Sequence, residues 1–274
     1  MFEKILENIH ENAPIVHCIT NYVTVNDVAN TILASGASPI MADDIEEVAD
    51  ITSISNSLVL NIGTLNSRTI DSMIKAGKMA NKMEIPVLLD PVGIGASKLR
   101  TETTLKLLTE VKFSVIRGNA SEIKSLINGS RTSSGVDVSV EDIIDEVNID
   151  DYIDITKELQ RIYNGVIVVT GPIDIVTSGK KTYIIRNGHK DMERVTGTGC
   201  MLSGLIGGFI GANPNNILDS TAAAVATMGL CGELANERII REDLGTGSLR
   251  TYLIDYISKI DGKILSGGIK IESR

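Results

Sequence analysis

The chain has 274 residues, 43% of them hydrophobic and 22% charged, enough to bury a sizeable core in one large α/β unit or two small ones. It carries 26 Lys and Arg against 35 Asp and Glu, a formal net charge of −9, with only 3% aromatic residues and no Trp. A general nucleic-acid or acidic-membrane binder is therefore excluded, since both need a basic surface and single strands also need aromatic platforms.

The opening "MFEKILENIH" reads as an amphipathic helix with charges every few residues, and it lacks the apolar core of a secretory signal. A cytoplasmic protein is expected. Strands are predicted at 14–19, 38–41, 57–63, 86–90, 113–118 and 165–171, each a short β-branched or leucine-rich run. Helical patterns lie between them, such as 69–83, where Ile70, Met73, Ile74 and Gly77 mark one face. Strand, helix, strand repeated this often predicts an α/β fold of three layers, a mainly parallel central sheet flanked by helices.

The stretch 128–151 is polar and then acidic, and reads as a solvated loop and surface helix. "DIVTSG" and "TYIIRNG" predict a hairpin ribbon after the parallel core. From Thr198 onward the chain is mostly helical, ending in an amphipathic piece at 248–260. The uncharged run from Cys200 to Leu218 is broken by "GANPNN", which predicts buried helix, turn, helix and no membrane span. Without a repeat or a Pro, Ser or Gly-rich linker, one domain over 1–274 is expected.

Cys18, Cys200 and Cys231 form no C-x-x-C pair and no zinc spacing with His10, His17 and His189, so a reducing compartment is the simplest setting. His17, on a strand just before Asn21, reads as a core histidine with a satisfied hydrogen bond. Cys18, alternating with it, faces the other side.

Ligands of open α/β sheets bind at the carboxyl ends of the strands. Those ends carry Asp90 in "LLDPVGIGAS", Arg117, Asn119 and Glu122 in "IRGNASEI", and Thr170 and Gly171 in "VVTGP". Each has a structural alternative as turn former, first-turn carboxylate or cap. Together they suit phosphoryl transfer, in which the protein supplies positioning and charge neutralisation. Arg117 can clamp phosphate oxygens, and Asn119 and Glu122 can hold Mg²⁺ directly or through water. Gly197, Thr198 and Gly199 clear the backbone before Cys200, so their amides can meet a developing negative charge. No Walker A lysine follows this loop, which excludes a P-loop kinase. The first strand is followed by no glycine fingerprint for a dinucleotide.

In this order, "HCITNYVTVNDVAN", "GASPIMA", "LVLNIGTL", "LDPVGIGAS", "IRGNASEI", "GVD", "VTGTGC" and "GTGSL" closely resemble the hydroxyethylthiazole kinase family, within the ribokinase-like superfamily. The resemblance covers roughly residues 10–255. It implies ATP-dependent phosphorylation of the hydroxyl of 4-methyl-5-(2-hydroxyethyl)thiazole, a salvage step in thiamine biosynthesis. It also implies Mg²⁺, and a homotrimer with active sites between subunits. By the same resemblance Asn21, Val23, Met41, Gly63 and Gly197 bind the thiazole, with Cys200 at the reacting hydroxyl and Asp90 close by. Arg117, Thr170, Gly171, Thr198 and Gly199 bind ATP, and Asn119 and Glu122 organise the metal.

The adenine pocket is expected around Met228 to Cys231 and "GTGSL", where Thr246 and Leu249 stand in place of the family's frequent proline and phenylalanine. Ribokinase-like relatives usually carry aspartate where Cys200 stands. Two readings of that thiol stay open. A helix N-terminus lowers a thiol's pKa, so a thiolate could take the alcohol proton; alternatively Cys200 packs against the substrate while Asp90 or the phosphate handles the proton. Kinases of hydroxymethylpyrimidine or pyridoxal, an ATP-dependent lyase on a hydrated nicotinamide nucleotide, and a non-catalytic sensor are the rival functions.

Overall fold

The computed structural model describes residues 1–130, 143–179 and 181–274. Its frame is one nine-stranded sheet in the order β2-β1-β3-β4-β5-β6-β7-β8-β9. The strands are β1 Ile15–Ile19, β2 Ser38–Ile40, β3 Ser57–Asn61, β4 Val87–Asp90, β5 Val115–Asn119, β6 Val166–Thr170, β7 Asp174–Ser178, β8 Lys181–Ile185 and β9 Ile271–Ser273. β1 to β6 pair in parallel. The pairs β6–β7, β7–β8 and β8–β9 are antiparallel. β7 and β8 are the expected hairpin. β9 was not expected from the sequence: Ile271 is its one apolar residue, so it shows no β-branched or leucine-rich run.

Helices cover both faces. Against one lie α1 (Phe2–Asn12), α2 (Val25–Ala34), α8 (Thr198–Ala212), α9 (Ile217–Arg241), α10 (Thr246–Ile257) and α11 (Gly262–Gly268). Against the other lie α3 (Val48–Ser53), α4 (Ser67–Lys82), α5 (Lys98–Glu110), α6 (Ala120–Ser130) and α7 (Ile149–Tyr163). Because both faces are covered, the inner strands carry continuous apolar runs, and all five residues of β3 are buried. Side chains alternate between the layers, Val16 and Cys18 joining the first core and Ile19 the second.

α4 buries Met73 and Gly77 of the expected face, and the inward side extends round to small residues beside them. Thr69, Ser72, Met73, Ala76, Gly77 and Ala80 are buried, while Ile70 and Ile74 are half-buried. The inner face is marked by small residues because the helix lies close against its neighbours. A Cβ on Gly77 would come 2.8 Å from Val111 Cγ1. The same logic governs α8, where a Cβ on Gly207 would lie 2.7 Å from Val59 Cγ2 and 2.9 Å from Val16 Cγ1.

α8 and α9 are the expected pair of apolar helices around "GANPNN". By length and composition α9 could cross a membrane, yet 72% of its most apolar window is buried inside the fold. Residues 131–142 of the acidic stretch, with "GVD" at 135–137, lie outside the described residues; its last three begin α7.

Candidate active site

In this strand order the direction of winding reverses between β1 and β3, the place where ligands of open α/β sheets commonly bind. Asn21 follows β1, Asn61 ends β3 opposite Asp90 at the end of β4, and Asn119 ends β5 opposite Thr170 at the end of β6. α8 arrives from the first helix layer with its N-terminal turn at this edge. Gly197, its N-cap, has φ 88°, a left-handed conformation suited to glycine. A Cβ there would also collide with Thr24.

The strand ends meet in one polar cluster. Asp90 is 0% exposed, and its Oδ2 accepts from Asn61 Nδ2 at 2.7 Å and from Ser203 Oγ at 2.8 Å. Its Oδ1 lies 3.5 Å from Arg117 Nη1, and Arg117 Nη2 donates to Thr170 Oγ1 at 2.7 Å. Arg117 Nε is buried without a hydrogen-bond partner among the described residues. Burial pushes the Asp90 carboxyl up to about 6; the Arg117 charge pulls the other way and Glu122 adds to the rise. A Cβ on Gly199 would sit 2.8 Å from both Arg117 Nη1 and Nη2, so glycine there leaves room for the guanidinium.

Cys200 is half-buried in the first turn of α8, and its Sγ accepts from Asn61 Nδ2 at 3.2 Å and Asn21 Nδ2 at 3.3 Å. The expectation of a thiol lowered by the helix terminus is reversed. Burial raises its pKa, and the nearby Asp90 charge raises it further, against the pull of side-chain hydrogen bonds from Thr24, Asn21 and Asn61. His17 is the expected core histidine: Nε2 donates to Ala42 O at 2.8 Å, Nδ1 lies 2.9 Å from Thr52 Oγ1, and burial lowers its pKa.

On the β1 and β3 side, Gly63 leaves space for two amides, since a Cβ there would be 2.9 Å from Asn21 Nδ2 and Asn61 Oδ1. Val23 is 58% exposed on the turn into α2, and Met41, just past β2, packs half-buried against the first core. Asn119 and Glu122 grip each other as a helix cap: Asn119 N donates to Glu122 Oε2 at 2.8 Å, and Glu122 N to Asn119 Oδ1 at 2.9 Å. Glu122 Oε1 also accepts from Gly93 N at 2.8 Å, which ties the loop after β4 to α6. Among the described residues no group of three or more His, Cys, Asp or Glu could hold a metal ion.

Beyond Arg117 a cleft of about 600 Å³ opens between the ends of β5 and β6 and helices α8 and α9. Arg117, Asn119, Thr170, Gly171, Thr198 and Gly199 line its polar end, and Leu202, Val225, Met228 and Gly229 its apolar wall. Met228 lines this cleft. Cys231 is fully buried in the core, and "GTGSL" starts α10 outside the cleft lining. Asn187 to Lys190, after β8, close that side in its place.

Sequence reasoning missed Asn61, Ser203, Thr24 and Asp174. Asn61 carried a signal, an amide ending the apolar run "SLVLN" at the same edge as Asp90. Asp174 lines the cleft at 9% exposure, and its Oδ1 accepts from Gly171 N at 3.0 Å. Burial pushes its carboxyl up to about 7, against the Gly171 amide and the Arg117 charge. A carboxyl raised on folding contributes stability that is complete below its unfolded pKa and lost as pH rises through the folded one. Asp174→Asn, which retains an acceptor for Gly171, is expected to be roughly 3 kcal/mol more stable than the wild type at pH 8. Urea unfolding should show that gap narrowing steadily towards pH 5.

The sequence model of the Hydroxyethylthiazole kinase family matches residues 6–263. A protein named hydroxyethylthiazole kinase from Clostridium acetobutylicum is 52% identical over 273 residues, covering 100% of both chains. One of the same name from Methanobrevibacter smithii is 45% identical, covering 98% of this chain and 95% of its own. The solved structure of a hydroxyethylthiazole kinase protein from Pyrococcus horikoshii superposes with a TM-score of 0.88 at 34% identity, covering 100% of this chain and 98% of the other. With a three-layer ribokinase-like fold and matches along its whole length, the chain belongs to the hydroxyethylthiazole kinase family.

Proposed function

We propose that this protein transfers the γ-phosphoryl group of ATP to the hydroxyl of 4-methyl-5-(2-hydroxyethyl)thiazole, a salvage step in thiamine biosynthesis. The observation that carries the reading is the position of Arg117. Its guanidinium is held between Asp90 and Thr170 at the polar end of the cleft, with one buried N–H unused, beside the amides that open α8. An anion there meets a fixed cation and a helix N-terminus together.

In this reading ATP lies in the 600 Å³ cleft with its base on the apolar wall and its phosphates by Arg117, Thr170, Gly171, Thr198 and Gly199. The thiazole alcohol approaches from the side of Asn21, Val23, Met41, Gly63 and Gly197, with its oxygen at Cys200. Asp90 has no exposed surface and the thiol is biased towards its neutral form, so neither is a ready base for the alcohol. A loose transition state asks little of one, and the rate then rests on positioning and charge. Cys200 contacts the alcohol while Asp90 holds the guanidinium in place.

Mg²⁺ fits this donor set. Asp90 and Glu122 are both buried and near enough for Glu122 to raise the Asp90 pKa, so negative charge collects here ahead of any phosphate. A Mg²⁺ ion arriving with phosphates keeps several waters and needs only one or two protein carboxylates, so the absence of a three-ligand cage among the described residues is no obstacle. Glu122, with Asn119 beside it, would hold it. When bound, the ion would neutralise charge on the phosphates.

The homotrimer with shared sites is proposed from the family resemblance; exposed Tyr22 and Val23, at 79% and 58%, offer apolar surface beside Asn21 for a neighbouring subunit. One domain over 1–274 and a cytoplasmic setting belong to the same proposal, the latter supported by three free thiols. ADP release from Mg·ATP, with hydroxyethylthiazole, hydroxymethylpyrimidine and pyridoxal offered in parallel, tests it. Turnover confined to the thiazole alcohol is expected, and turnover with another alcohol or with none overturns the assignment.

A further inference from the structure

Asn61 has every hydrogen-bonding capacity of its side chain engaged. Its Oδ1 accepts from Gly63 N at 2.8 Å and from Asn21 Nδ2 at 3.1 Å. The backbone donor at Gly63 fixes which end of the amide is oxygen. The two hydrogens on Nδ2 therefore point the other way, one to Asp90 Oδ2 at 2.7 Å and one to Cys200 Sγ at 3.2 Å. Asn21 is filled in the same manner. Its Oδ1 accepts from Thr24 N at 3.1 Å and Thr24 Oγ1 at 3.0 Å, and its Nδ2 donates to Asn61 and to Cys200 Sγ.

We propose that Asn61 is a positioning residue that fastens Cys200, at the alcohol, to Asp90, at Arg117, and so keeps the two halves of the site in register. The inference rests on the functional reading above and deepens it. Cys200 and Asp90 come from different layers of the fold, α8 and the sheet, and Asn61 is the side chain that touches both. Both of its N–H groups need an acceptor, so the sulfur must offer a lone pair to Asn61 and a second to Asn21. The thiol hydrogen is left to point away from the amides. Ser203 Oγ holds the same Asp90 oxygen from α8 at 2.8 Å, leaving Oδ1 turned to Arg117. The charged and titratable groups facing this unit are Asp90 from β4, Arg117 from β5, Glu122 from α6 and Cys200 from α8.

Asn61→Asp separates this role from a structural one. An aspartate retains the acceptor oxygen for Gly63 and Asn21; its second oxygen meets Asp90, with which it must share a proton, leaving one negative charge for Arg117, and no N–H donor remains for Cys200. With the thiazole alcohol and ATP, kcat is expected to fall about 30-fold, the scale of hydrogen bonds lost to a charged partner. KM for ATP should stay within about twofold, because Arg117 and Thr170 keep their own contacts. Asn61→Ala should give the same split, and it serves alone if the aspartate variant does not fold.

A second readout needs no turnover. Cys18 and Cys231 are fully buried, so alkylation by iodoacetamide reports Cys200. In Asn61→Asp a carboxylate replaces the N–H donor at the sulfur, disfavours the thiolate, and should slow alkylation at pH 8 by about threefold or more. Wild-type kcat in Asn61→Asp, or in Asn61→Ala if only that folds, overturns the proposal, as does unchanged alkylation. Wild-type protein that phosphorylates none of the alcohols overturns the functional reading instead, and the alkylation rate still decides the contact at Asn61.

Discussion

Arg117→Ala is expected to lower kcat/KM for ATP by about 10³-fold or more, the scale set by cations that stabilise a transferring phosphoryl group, while the fold survives. Survival follows from the neighbour. Burial already pushes Asp90 up to about 6 with the guanidinium present. Without it the carboxyl rises further and takes a proton at neutral pH, so no bare charge is stranded in the core. Thermal melts at pH 7 should differ little between variant and wild type, while steady-state rates collapse. Arg117→Lys should not restore them, because a single ammonium cannot reach both Asp90 Oδ1 and Thr170 Oγ1 as Nη1 and Nη2 do. Retention of a tenth of wild-type kcat/KM in Arg117→Ala would remove the residue from the phosphate.

Asp90→Asn should do the reverse to stability. Arginine cannot shed its proton, so removing the carboxylate strands a buried guanidinium whose Nε is already unpaired. A loss of about 3 kcal/mol in unfolding free energy is expected, in the range for breaking a buried pair. ATP should recover much of it, because phosphates re-pair the guanidinium, so the nucleotide should raise the melting temperature of the variant more than that of the wild type. In wild-type enzyme the ionised form of Asp90 holds Arg117. Activity should therefore be present above, and lost as pH falls through, about 6, the raised value, well before the usual carboxylate range. The pH profile of kcat/KM checks this. Equal stability of Asp90→Asn and wild type would show that Asp90 does not hold the guanidinium.

The architecture was legible because a parallel sheet covered on both faces writes itself as continuous apolar runs, and the strand ends then carry the polar residues. "VLLD" and "VIVVT" each announce a strand and the polar residue at its end together, and "LVLN" has the same form although Asn61 was passed over. What escaped was encoded by small size or by distance. The inner face of α4 holds Met73 and Gly77, which the pattern marked, and also Thr69, Ser72, Ala76 and Ala80, which a search for large apolar residues passes over. Ser203 hides inside an apolar helix and Asp174 at the start of a hairpin. The two readings of Cys200 could not be separated from the local pattern "VTGTGC", because burial and Asp90, which raise the thiol's pKa, lie outside it. β9 was missed because Ile271 is its one apolar residue, and residues 131–142 lie outside the described residues.

The contacts of α8 have a consequence for how the protein is made. Asn21 meets Cys200 across 179 residues of chain, Asn61 meets it across 139, and Asp90 meets Ser203 across 113. A nascent chain therefore emerges from the ribosome with β1 to β6 complete, while the helix that finishes the site is still being synthesised. During that interval one face of the sheet lacks the helix that covers it, and Asp90 lacks Ser203. Partly synthesised chains of this kind are the ones that depend on chaperones. A chain stopped before α8 carries Asn21, Asn61, Asp90, Arg117 and Thr170 without Cys200, Ser203 or the glycines that open the helix, which arrive together.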